Sequence, residues 1–178
     1  VAYGKFHNGS KNSGYSLSKA LKDPKKALGA MQRLCSMREY CSSDIVTKLK
    51  KYDLTEKETQ EILLSLEKDK FLDNSRYAAA FVRDKAAFNG WGPVKIRWAL
   101  KAKKIEEEII EQAMEQLPQE GQEERLLLLL DKKLKSLSRE QDNSKVRVKL
   151  LRFAVSRGFD YEKVLNGVNK IMANFVRE

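Results

Sequence analysis

Apolar residues recur along this chain at helical spacing, and sustained period-two alternation is absent. Tyr77, Ala78, Phe81 and Val82 share one helical face, and Ile96 and Leu100 share a face of the helix that follows. Phe71-Leu72-Asp73-Asn74 ends an earlier helix and opens the first of these, with Asp73 or Asn74 as the side-chain oxygen that caps free backbone N–H groups. Asn89-Gly90-Trp91-Gly92-Pro93 separates the pair, because glycine tolerates positive φ and proline suits the first helical turn. The same order recurs elsewhere. Ile45, Leu49 and Leu54-Thr55 correspond to Ile96, Leu100 and Ile105-Glu106, and again to Leu150, Ala154 and Phe159-Asp160. The period is about fifty residues. In each copy an apolar-faced helix is followed by a short link, a hydrophobic residue and a polar cap. Thr55 with Glu58 reads as a capping box, Glu106 to Glu108 place acid at a helix N-terminus, and Arg157-Gly158 reads as a glycine-terminated helix end.

These elements predict an all-α protein of three tandem three-helix repeats, over residues 27–72, 73–118 and 119–178, preceded by a basic tail over 1–26 that is expected to be flexible. Units of this size have poor surface-to-volume ratios, so each should lean on its neighbour, giving an elongated arrangement with room for curvature. Leu126 to Leu130 is the strongest apolar run, but five residues fall far short of the roughly twenty that cross a bilayer. It predicts a core helix.

The segment from Phe71 to Ile105 resembles the signature of the RecX family of bacterial recombinase regulators: leucine-aspartate, aromatic-alanine, Gly-x-Gly-Pro and an isoleucine-leucine helix. Lys104 stands where many members have glycine, and Ala99 where an acidic residue is common. Asp73, Gly90, Gly92 and Pro93 match the motif, and their expected roles are architectural: capping, turn geometry and helix initiation.

Net charge adds a second signal. The formal value is +10, with the excess concentrated in residues 1–26 and in the third repeat. Lys95, Arg97, Lys101, Lys103 and Lys104 gather on one helix of the second repeat, and Lys145, Arg147, Lys149 and Arg152 on the equivalent helix of the third. A lysine-rich helix face is most often a solvated face. Recurrence in register, with no comparable acid on those helices, favours a basic stripe suited to phosphates or to an acidic protein groove. Lys95, Arg97, Lys101, Lys104, Lys145, Arg147, Lys149 and Arg152 are therefore the expected contact residues. Trp98, two residues from Ile96, falls off the apolar face and is a candidate for exposure, whereas Trp91 is expected to pack between helices.

Catalytic chemistry finds little support. The single histidine, His7, and the cysteines Cys35 and Cys41 lack metal-ligand spacing, and Gly90-Trp91-Gly92 has neither the lysine of a P-loop nor a preceding strand. No cofactor or metal is expected. Two cysteines are too few for a disulfide scaffold, and the lysine-rich start carries no apolar centre, which together predict a cytoplasmic protein with no membrane partner. The family resemblance implies a non-enzymatic regulator that binds the RecA filament on DNA, lodges in its helical groove and restrains ATP hydrolysis, strand exchange and filament growth in recombinational repair and the SOS response. Single- or double-stranded DNA is the expected secondary partner, and a monomer the expected state. The alternative is a stand-alone, mainly nonspecific DNA-binding helical module.

Overall fold

The computed structural model describes residues 23–117 and 121–175, and every regular element among them is helical. The expected tail lies outside the described residues as far as residue 22. Asp23 accepts from the Lys26 N–H and Pro24 opens the first helix, so residues 24–26 are already helical.

The helices fall into three triplets: α1 (Pro24–Met37), α2 (Ser42–Leu49) and α3 (Glu56–Lys68); α4 (Asn74–Ala87), α5 (Pro93–Ala102) and α6 (Glu107–Glu115); α7 (Gln122–Lys135), α8 (Asn143–Ser156) and α9 (Tyr161–Phe175). A 3-10 turn, Lys50–Tyr52, extends α2. Within the second triplet α4 packs on α5 and α6, and within the third α9 packs on α7 and α8. Each triplet has its own apolar core. The shared anchors line those cores: Ile45, Ile96 and Leu150 are buried, as are Leu49, Leu100 and Ala154. Burying such an anchor contributes roughly 1.5–3 kcal/mol for a leucine or isoleucine, which is why its spacing recurs.

Helix ends follow the caps in the sequence. Thr55 and Glu58 form the reciprocal capping box, and Asp160 accepts from the N–H groups of Glu162 and Lys163. Asp73 caps α4 through the N–H groups of Ser75 and Arg76. Asn74 acts elsewhere, since its Oδ1 accepts from Ser42 N–H at 3.0 Å and so serves the N-terminus of α2. Ile105 N–H donates to Leu100 and Phe159 N–H to Ala154, closing the same C-terminal motif in two repeats. Relative to α5, α8 is one turn longer at its start, with Val146 as an added buried anchor. No helix among the described residues is long and apolar enough to cross a membrane.

Candidate partner interface

The second helices of the three repeats meet end to end. At the α8–α5 joint, Gly92 N–H donates to Arg157 C=O at 2.7 Å and Val94 N–H to Gly158 C=O at 3.0 Å. Free N–H groups at the start of α5 thus meet free carbonyls at the end of α8, and the dipoles run head to tail. A Cβ on Gly92 would lie 2.3 Å from Gly158 O, and one on Gly158 would lie 2.2 Å from Lys95 Cβ. Gly92 has an ordinary φ of −82°. Close backbone approach, not positive φ, is what excludes a side chain there. Gly90 does adopt φ +60°, in the turn before it.

At the α5–α2 joint side chains make the connection. Lys103, at the end of α5, donates to both oxygens of Asp44 at 2.8 and 3.0 Å. Arg76 Nε donates to Glu39 at 2.5 Å, and Cys41 sits in the core of the second repeat. Burial disfavours charge on Lys103, but the Asp44 carboxylate and the Tyr77 phenol outweigh it and hold its pKa above the usual lysine value. Hydrogen bonding to Glu39 likewise raises Arg76. Sequence reasoning assigned no joint role to Asp44, Glu39, Arg76 or Lys103. Each is a common surface residue type, and only a contact between repeats gives it that role.

The eight expected contact cations divide into two sets. Lys95 donates to Ser156 C=O at 3.0 Å and lies over the Trp91 ring, 4.7 Å from its centroid. Arg97 pairs with Glu111 and, at 3.5 Å, with Glu107. The hydrogen bond to Glu111 raises Arg97 and lowers Glu111 from their ordinary pKa values. Lys101 reaches Glu107 at 3.0 Å, and Lys149 reaches Glu140 at 2.6 Å. These four face partners inside the protein. Lys145 is loosely paired with Asp142 at 3.7 Å, with two thirds of its side chain exposed. Lys104 and Arg152 are exposed, Arg147 is half-buried, and none of the three has an ion pair among the described residues. The acids that balance α5 come from α6, the next helix. Trp98 is 71% exposed, with Val94 one turn before it at 58%. Trp91 packs against Phe81, its ring edge-on at 6.2 Å.

Comparison with known proteins bears on the whole arrangement. The model of the second three-helix domain of RecX matches residues 73–114, and that of the third matches 120–165. A regulatory protein RecX of Clostridium botulinum strain Eklund 17B is 37% identical over 106 residues, covering 59% of this chain and 49% of that protein. A crystal structure of regulatory protein RecX is 30% identical, with a TM-score of 0.72, and covers 83% of this chain and 71% of its own. The crystal structure of RecX from Lactobacillus salivarius, at 22% identity and TM-score 0.69, covers 83% and 95% and shares the fold. The chain spans about half the length of the first curated relatives it matches.

Proposed function

The chain belongs to the RecX family, and from that membership we propose that it is a non-enzymatic regulator of the RecA-DNA filament, restraining ATP hydrolysis, strand exchange and filament growth. The observation that carries this reading is the end-to-end joining of α2, α5 and α8. A filament offers the same site at regular intervals, and a chain of like modules engages several at once, so weak contacts combine through high effective concentration. Lys104, Lys145, Arg147 and Arg152 are the cations best placed for acidic protomer surfaces or DNA phosphates. Lys95, Arg97, Lys101 and Lys149 contribute there only by exchanging an internal partner for an external one. DNA is the secondary partner, the working state is a monomer, and the site of action is the cytoplasm.

The test is ATP hydrolysis by RecA on single-stranded DNA, titrated with the protein and with a variant neutralised at Lys104, Lys145, Arg147 and Arg152. Inhibition is expected well below the protein needed to coat the DNA, and is expected to weaken in the folded variant. Inhibition only at DNA-saturating protein would instead favour the nonspecific DNA-binding module.

A further inference from the structure

A groove of about 480 Å³ lies where the end of α4 meets α7 and α8. It is within the usual ~300–1,000 Å³ of ligand sites. Phe88 stands on its rim at the end of α4, 84% exposed. Phe153 of α8 forms part of the wall, with Lys133 Nζ 5.5 Å and the Arg157 guanidinium 5.2 Å from its ring centroid. Arg157 also donates to Asn89 C=O at 2.6 Å, tying the α4 side of the groove to the α8 side. Lys132 completes the lining on α7, with no ion pair among the described residues, and no carboxylate faces the groove.

Two aromatic rings, three cations and no acid make a combination with a specific chemistry. Phe88 buries little of its ring in the fold, so its exposed face adds little to stability. A nucleobase stacks on such a ring without sequence preference, while lysine and arginine take the flanking phosphates. A duplex hides the faces of its bases, so a lone rim phenylalanine can reach them only in an unpaired strand. We propose that this groove seats a segment of single-stranded nucleic acid, with one base on Phe88 and phosphates on Lys132, Lys133 and Arg157. The seat uses none of the eight α5 and α8 cations assigned above and does not depend on filament regulation.

The test uses the full 178-residue chain and no recombinase, so its failure and that of the filament reading are distinguishable. Fluorescence anisotropy is read with labelled oligothymidylate and oligouridylate of about twenty nucleotides, and with a duplex of equal length. Phe88→Ala is expected to weaken binding of the single strand roughly tenfold with an unchanged melting temperature, and Phe88→Trp to retain it. Lys132→Gln with Lys133→Gln should reduce the log-log salt slope by about 0.7 for each phosphate no longer neutralised. A charge-matched control, Lys57→Gln with Lys68→Gln in α3, should change affinity less than about twofold. Either oligonucleotide bound in this way supports the seat, and their ratio says which strand it prefers. Wild-type affinity in Phe88→Ala, loss of binding as large in the control, or a loss of duplex binding in Phe88→Ala equal to that of the single strand overturns it.

Discussion

Asp53, Lys104 and Gly158 hold the same place in the three repeats, before Leu54, Ile105 and Phe159, and all have positive φ: 50°, 59° and 84°. The chain must reverse there so that the next residue returns to the core. An L side chain in this region costs roughly 1–2 kcal/mol, part of which glycine gives back through the greater entropy of its unfolded state. Lys104→Gly should therefore be neutral or stabilise by up to about 1 kcal/mol. Gly158→Ala should have the opposite sign and cost at least about 2 kcal/mol, because Lys95 Cβ and N occupy the space its Cβ needs. Urea midpoints of the two variants decide this, and equal responses would mean that backbone conformation alone governs the site. Gly92→Ala separates the causes further: its φ is ordinary, so a destabilisation of comparable size isolates the close contact with Gly158. The sequence marks Gly90 and Gly92 alike as punctuation. Nothing local distinguishes a glycine that turns from one that admits another backbone, since the second residue of the contact lies in the next repeat.

Helix positions and their buried faces were legible because burial follows the period of the helix. The anchors Ile45, Ile96 and Leu150 carry that period on their own. The charge balance of α5 was not legible, since its acids, Glu107 and Glu111, come into reach only after the chain folds back through α6. A basic helix in sequence is thus a mostly paired helix in space. Packing of α4 against α5 has a further consequence at Tyr77, which is buried beside Lys103. Burial pushes its phenol from 10.0 to about 12. The folded state keeps this proton between pH 10 and about 12, whereas the unfolded chain has lost it, so stability falls as pH rises through that window. Tyr77→Phe removes the effect. The stability difference between parent and variant should be constant below about pH 9, and the parent should then lose roughly 2–3 kcal/mol relative to the variant by about pH 12. Lysines other than Lys103, whose own titration the Tyr77 phenol raises, titrate in both proteins and cancel. A difference that stays flat across that window would mean that water reaches the phenol in the folded state.

At the scale of the whole molecule the two joints differ in kind. The α8–α5 joint is made of backbone hydrogen bonds across two glycines, which salt does not screen. The joint between the first and second repeats is made by side chains: Asn74 accepts from Ser42, and the ion pairs Lys103–Asp44 and Arg76–Glu39 join groups whose side chains remain 30–43% exposed. Exposed pairs contribute about 0–1 kcal/mol each and less at high ionic strength, so the first repeat is held less firmly than the third. Cys41 adds an apolar contact, which keeps the first repeat attached when the ion pairs go. In a tandem-repeat protein, stability is close to a sum of unit and nearest-neighbour terms, so weakening one joint should act mainly on the unit beyond it. Asp44→Asn with Glu39→Gln should accelerate amide hydrogen exchange in α1, α2 and α3 by about tenfold, the equivalent of about 1.4 kcal/mol, and leave α7, α8 and α9 unchanged. Gly92→Ala should do the reverse, loosening α7, α8 and α9 first. Raising salt to about 1 M should mimic the first variant and not the second, since screening reaches only the ion-paired joint. If both variants accelerate exchange uniformly along the chain, the repeats unfold as one cooperative body, and the difference between the joints has no energetic consequence.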